Sequence, residues 1–481
     1  MAFLVGGANS AAADTGYDID NSLRFNDDDS PELNMQLDTP TSDKIYTFSL
    51  WAKRGNLGLN STLIGHYSGS GDSLLGVIQF TSAGKLRVSA YDDEYDASPT
   101  NFLTTRVFRD PSAWYHIVIA VDTTDGTEAN RFKIYVNGVQ ESVFDTEAYP
   151  TLNKVMVWNK DDMYAYYGIY KYAGGVEHDG YISELHFIDG TQLAASAFGE
   201  FDEDSGIWKP KDAKDDLTYG NNGHYLEFKE TGTNQDSSGI GADTSGNDNH
   251  FAVTNLVAGD VGTDSPTNNF ATWSSIAKNP DLIFSDGSLR ANNTGTDSFR
   301  SALGTIGVSS GKWYWEFRGG ATGDSQTFIV GWTKADVDYS ARIFADSNPT
   351  VASDGYGYRS DGNKVNNDSA SAYGSSWSSG TVVGIRLDLD SGTIGFIHSS
   401  DQGDAYTGLT TGIFYLPFCA VAQASNGEDA FSYTNFGGHQ ITANYGDFGT
   451  NTDANGYGGF TYSVPSGYYA LCTKNLARYG G

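Results

Sequence analysis

Short runs that alternate large apolar residues with small or polar ones recur along this chain, and a turn ends each of them. Ser22–Asn26 and Ile45–Lys53 open the series, and Leu74–Phe80, Lys85–Ala90, Trp114–Asp122, Phe132–Val136, Lys154–Trp158 and Tyr181–Ile188 continue it. A period of two sends neighbouring side chains to opposite faces, so each run reads as a half-buried β-strand. Ala83-Gly84, Asp125-Gly126 and Asn137-Gly138 mark turns between them. Many short strands so spaced argue for two packed antiparallel sheets. The pattern resumes after Gly311, where Trp313, Trp315 and Phe317 alternate with Tyr314 and Glu316. Phe328–Trp332 and Ile413–Val421 add buried strands, and Val383–Leu389 and Thr393–Ile397 flank the hairpin signal Asp390-Ser391-Gly392. The 481 residues exceed the roughly 250–300 of a single core, so two such modules are expected.

The expected fold class is therefore all-β: two antiparallel β-sandwich (jelly-roll) domains in tandem, with an irregular joint. Residues 1–20 read as an N-terminal arm and 21–230 as the first sandwich with a trailing helix and strand. Residues 231–269 hold few large apolar groups, and 231–285 read as a linker or joint. Residues 286–440 form the second sandwich and 441–481 a strand-rich tail. Thr191–Phe198, capped by Asp189 or Thr191, is the one short helix expected, and His224–Phe228 the trailing strand.

The chain has 29 basic and 60 acidic residues, a formal charge of −31. Of the acids, 13 are Glu and 47 Asp; Asp favours turns, which places this surplus on loops. So negative a chain repels nucleic acid and anionic membrane. No stretch approaches the roughly 18–20 apolar residues of a membrane span, so no membrane insertion is expected. The short apolar patch Phe3–Val5 follows no Lys or Arg and makes a poor export signal. Cys419 and Cys472 are too few for a disulfide framework and are expected as two buried free thiols.

Motifs for bond-breaking chemistry are absent from the sequence. The eight histidines (66, 116, 178, 186, 224, 250, 398 and 439) show no H-x-H, H-x-x-x-H or H-E-x-x-H spacing. No G-x-S-x-G elbow or phosphate-binding loop occurs. A retaining glycosidase needs paired carboxylates about 5–5.5 Å apart; the nearest arrangement, Glu200-Phe201-Asp202-Glu203-Asp204-Ser205, ends in serine where an acid is required. The chain is read as not an enzyme, with no cofactor. Calcium on Asp-rich loops such as Asp27–Asp29 stays open, with no ligand set assigned and the metal site unknown.

Aromatic clusters are the candidate binding residues. Met163–Tyr172 holds Tyr164, Tyr166, Tyr167, Tyr170 and Tyr172. Tyrosine pairs a flat apolar face with a hydroxyl, which suits stacking on sugar rings or anchoring a protein interface. On one strand, Tyr164 and Tyr166 point one way and Tyr167 the other. Tyr91 and Tyr95 lie in the acidic loop Tyr91–Asp96. In the second half, Trp313, Trp315 and Trp332 read as core, whereas Tyr339, Tyr356, Tyr358 and Trp377 lie nearer loops and are interface candidates.

Five phrases in order, SLRFN, YTFSLWAKR, WYHIVIAVD, RFKIYVNGVQ and GYISELHFIDG, resemble the laminin-G-like, concanavalin A-like jelly-roll family over about residues 20–190. The family mostly binds glycans or proteins, some members bind calcium, and one branch carries glycosidases. Gly311–Glu316, Val330-Gly331-Trp332, Gly355–Tyr358, Gly380–Asp390 and Asn435-Phe436-Gly437 resemble the SPRY (B30.2-like) family over about 290–440. That family binds partners through loops at one end of its sandwich. The segments IDGTQLAASAFGEFDEDSGIWKPK and SGNDNHFAVTNL resemble tailed-bacteriophage virion proteins. Together these resemblances imply a fibre or appendage subunit in the virion, its arm docked on other virion proteins, attached to a host-surface glycan or protein. They imply a homo-oligomer, a trimer by family resemblance, assembled in the host cytoplasm. The alternatives are a head decoration protein without receptor binding, a glycan-degrading depolymerase, and a host-derived acidic adhesin.

Overall fold

A computed structural model describes residues 4–5, 16–68, 75–91, 100–171, 175–294, 299–320, 328–335, 354–367, 369–422, 430–439 and 449–480. The chain divides into two compact units: Asp14–Thr267, and Asn268–Gly481 together with Met1–Ala13.

The first unit is a sandwich of two antiparallel sheets. One runs Val139–Gln140, Phe132–Val136, Trp114–Asp122, Ile45–Arg54, Gly180–Asp189, Ser22–Phe25, Val261–Gly262, with His224–Leu226 also paired to Gly180–Asp189. The other runs Phe144–Ala148, Thr100–Val107, Lys85–Ala90, Leu75–Phe80, Ser61–Tyr67, Tyr164–Tyr167, Glu32–Gln36, Ala252–Thr254. Alternate residues of both meet in one core that includes Phe48, Leu50, Ile78, Val88, Ile117, Ile119, Trp158, Tyr167 and Phe187. A smaller cluster, with Ile188, Phe198, Tyr219 and Tyr225, covers the outer side of the first sheet.

The second unit is a sandwich of the same kind. Seven strands run Trp273–Lys278, Phe299–Gly304, Tyr415–Ala422, Phe328–Lys334, Gly355–Arg359, Asn363–Asn366, Ser369–Ala372. The facing sheet runs Leu282–Ser285, Arg290–Asn293, Ala430–Asn435, Lys312–Gly319, Val382–Asp388, Thr393–His398, Ser400–Thr407. Trp273, Trp313, Trp315, Phe317 and Trp332 fill its core, as the alternation at 313–317 predicts. Cys419 and Cys472 are buried free thiols. Burial pushes both pKa values up, that of Cys472 to about 12.

Three expectations about the domain layout are corrected. The stretch 231–267 is no loose joint, because Ile240, Phe251 and Leu256 enter the first core and two of its segments add strands to the sheets. Asp243 holds this stretch by accepting from the N–H groups of Tyr225, Ser245 and Asn249. Residues 268–285 belong to the second unit, where Trp273–Lys278 and Leu282–Ser285 are strands. The reading of 1–20 as an arm fails at its end: Ile19 N–H donates to Thr267 Oγ1 (3.0 Å) and Tyr17 Oη–H to Glu184 (3.1 Å). Nearer the start, Leu4–Val5 pairs in parallel with Ile306–Gly307.

Three local readings also change. Thr191–Phe198 is not a helix but contains one 3₁₀ turn, Ala195–Ala197. Thr47 captures its start by donating to Thr191 O and accepting from Leu193 N–H, while Asp189 accepts instead from Thr41, Ser42 and Asn222 N–H. Lys154–Trp158 is not a strand; Val157 and Trp158 are both fully buried and lie in a 3₁₀ turn, Val157–Asn159. The tail is not strand-rich. Its described part carries the two-residue strand Tyr469–Ala470 and the one α-helix among the described residues, Thr473–Tyr479. Buried Glu316 anchors it by accepting from Thr461 and Tyr462 N–H, both at 2.8 Å.

Two outcomes follow from this packing. Phe251→Ala empties a fully buried site and should destabilise the first sandwich by about 3–5 kcal/mol, seen as an earlier unfolding transition in urea; an unchanged transition would restore the loose joint. Burial pushes His66, His116 and His178 down to about 3, and His224 down as well. They are neutral when folded but take up protons near 6.5 when unfolded, so stability is complete above pH 6.5 and falls towards pH 3. Each contributes up to about 1.4 kcal/mol per pH unit across that window. Urea titrations from pH 7 to 4 should show this loss in the first sandwich, and a flat profile there would contradict it.

A candidate ligand-binding face

Strand Tyr164–Tyr167 lies between Ser61–Tyr67 and Glu32–Gln36, and its register is fixed from within. Ala165 and Tyr167 point into the core, where Tyr167 Oη lies 2.5 Å from His224 Nε2. His224 Nδ1 faces Asn222 O at 2.9 Å and must donate to it, so Nε2 accepts and the tyrosine donates. Tyr164 and Tyr166 are thereby turned to the outer face, their rings stacked at 6.2 Å. This is the alternation read from the sequence.

Cross-strand pairing extends the face. Tyr164 pairs with Tyr67 and Tyr67 with Leu75, so one row runs Tyr164, Tyr67, Leu75 over three strands. Tyr91 N–H donates to Leu75 O in line with it, but the half-buried Tyr91 side chain packs against the core. The next row runs Tyr166, Gly65, Val77, Ser89, Asn101. Tyr67, Tyr164, Leu75 and Val77 are half-buried, and Tyr166, at 9% exposed, backs the stack. Gly65 is required here: a Cβ would meet Ile169 O at 2.5 Å, because strand Ile169–Tyr170 crosses over it. That strand and Val176–Glu177 form a small hairpin that borders the row, and half-buried Tyr170 belongs to it. Polar groups line the other border. Tyr164 Oη–H donates to Gln36 Oε1 (3.4 Å), Asn34 Nδ2 to Glu32 Oε1 (3.2 Å), and Lys171 is ion-paired with Glu32 above the Tyr166 ring. Burial first, and then the Glu32 charge, raises the Tyr166 pKa, so its phenol stays neutral. The arrangement offers flat apolar rings beside amides and hydroxyls, the surface a sugar ring or a polar peptide needs.

The other candidates divide. Tyr95, Tyr172 and Tyr339 lie outside the described residues. Tyr167 is core and no interface group. Tyr358 and Trp377 are also corrected to core: Tyr358 is fully buried with its hydroxyl on Ser375 O, and Trp377 stacks on Phe328 at 5.8 Å. Tyr356 is half-buried against Tyr406 at 5.2 Å. Tyr67, Leu75, Val77, Asn34 and Gln36 were not singled out by the sequence. A bulge between Thr62 and Ile64, followed by Gly65, breaks the alternation that would have marked Tyr67.

The acids singled out in the sequence are held by local partners. Glu200 and Asp202 lie on the hairpin Gly199–Phe201 and Trp208–Pro210 and share Lys209 at 3.4 Å each. Ser205 backbone and hydroxyl hold Asp202 down to about 2, as in an ordinary turn. Glu184 sits at φ 47° in a bulge between Ser183 and His186 and accepts from the Tyr225 hydroxyl at 2.7 and 2.8 Å. With Tyr17 it makes a satisfied knot at the start of the unit. Among the described residues no three His, Cys, Asp or Glu side chains gather as a metal cluster.

Residues 26–195 match the concanavalin A-like lectin/glucanases superfamily, as its laminin G type, and residues 312–432 match the SPRY domain family. The SPRY domain of human HERC1 is similar at 19% identity over 34% of this chain and 96% of its own, with a TM-score of 0.27. A heptameric SAP-like pentraxin from Limulus polyphemus is similar at 16% identity over 37% of this chain and 80% of its own, with a TM-score of 0.28. The chain thus carries a concanavalin A-like domain of the laminin G type in its first half and a SPRY domain in its second.

Proposed function

We propose that this chain is a non-enzymatic binding protein of a tailed-phage particle, a fibre or appendage subunit that holds a host-surface glycan. The tyrosine row carries the binding part of this reading: Tyr164, Tyr67 and Leu75 form one continuous apolar line on a sheet face, edged by amides. Such a face recognises shape and ring stacking, and no step in it makes or breaks a bond. The virion part is supported by the segments 188–211 and 245–256, which resemble phage proteins. A homo-oligomer suits this role, because repeated modest sites gain avidity of about 10²–10⁴ when presented together.

Two experiments test the reading. Tyr67→Ala with Tyr164→Ala should leave the unfolding transition near its original position yet weaken host-surface binding at least tenfold, about 1.4 kcal/mol. Undiminished adsorption by particles carrying that double variant would favour a decoration role instead. Separately, reducing-sugar release from host polysaccharide that disappears in Glu200→Gln or Asp202→Asn would make the chain a depolymerase.

A further inference from the structure

The charges around the tyrosine row decide which glycans it admits, an inference that rests on the glycan-binding reading above. Glu32, Asp161, Asp162 and Glu177 all border the row or its hairpin. Glu32 is met by Lys171. Asp162 faces the Gln36 amide at 3.4 Å, Asp161 the Thr39 hydroxyl at 3.3 Å and Glu177 the Ser30 hydroxyl at 3.2 Å. Among the described residues, no Lys or Arg forms an ion pair with Asp161, Asp162 or Glu177; with Lys160 counted beside Asp161, four carboxylates stand against two ammonium groups. Other cations on this face are remote. Lys85 is ion-paired with Asp145. Arg87 lies two strands over and two rows along from Tyr67, roughly 17 Å by strand geometry. That exceeds the Debye length of about 8 Å at physiological salt.

An acidic sugar lying on Tyr164 and Tyr67 would therefore bring its charge among uncompensated carboxylates, in a chain that already carries −31. The polar groups that remain beside the row, Asn34 and Gln36, donate to and accept from hydroxyls equally well. The row itself spans two strand spacings, about 10 Å, long enough for two pyranose rings. We infer that the tyrosine row takes a glycan segment free of acidic groups, laid across the strands from Tyr164 towards Leu75.

The test uses the full chain against three sets of oligosaccharides: neutral hexose oligomers, de-N-acetylated chitooligosaccharides bearing amines, and sialylated or uronic-acid oligomers. Each is titrated at low and high NaCl. Neutral or amine-bearing oligomers should bind at least tenfold tighter than acidic ones, and Tyr67→Ala with Tyr164→Ala should remove that binding. Salt leaves a neutral ligand's affinity unchanged and weakens an amine-bearing one, which tells the two apart. Asp161→Lys with Asp162→Lys should raise affinity for acidic oligomers about tenfold. A wild-type preference for acidic oligomers overturns the inference and leaves glycan binding intact. Binding in no arm overturns glycan recognition itself, and a protein ligand then takes its place.

Discussion

The Tyr167–His224 hydrogen bond decides which way a strand faces. Side chains on a strand alternate strictly, so a slip by one residue would bury Tyr164 and Tyr166 and expose Ala165 and Tyr167. Burying the Tyr167 ring, with its hydroxyl on a neutral imidazole, makes one register far better than its neighbours. An unpaired hydroxyl at that depth would cost about 1–3 kcal/mol. The imidazole is in turn held by Asn222, whose side chain bonds Asp38 O and Asn159 Oδ1. The outward tyrosines are therefore placed by a polar chain that reaches across the core from the facing sheet.

Aspartate plays a related part throughout. Asp189, Asp243 and Asp453 are nearly buried, and each collects several donors from its own or a neighbouring turn. A short carboxylate can reach backbone N–H groups two residues on, which a longer glutamate does less well. This accounts for 47 Asp beside 13 Glu in a protein made of turns between strands. Part of the negative charge thus serves structure. Asp260 and Asp264 go further, pairing with buried Arg24 and Lys53 to fasten the end of the first unit to its opening strands.

Those same bonds explain where the sequence was legible. Strands such as Trp114–Asp122 and Lys85–Ala90 match the alternating runs residue for residue, because hydrophobic burial on one face writes the period directly. The stretch 231–267 is folded by capping carboxylates and three isolated apolar residues, Ile240, Phe251 and Leu256, which have no period and look like a linker. The helix Thr473–Tyr479 is hidden for a similar reason: its N-cap is Cys472, which offers no capping side-chain bond. At the candidate site, Tyr164 and Tyr166 were legible as a cluster. Tyr67 and Leu75 join them through non-local pairing, so no local pattern announces that they share a row.

Pairing of this kind also sets what the face can do. Rings held on a hydrogen-bonded sheet lose little freedom on binding, so stacking energy is not spent on ordering them. Yet each ring is half-covered already, Tyr164 by Tyr166 and the row's edge by the Ile169–Glu177 hairpin. A single site of this sort gives modest affinity, and its preorganisation becomes useful when many copies meet a repetitive surface. A short, uncharged row on a strongly acidic chain fits that regime: the charge repels anionic surfaces, while stacking on tyrosine rings is a contact that salt does not weaken.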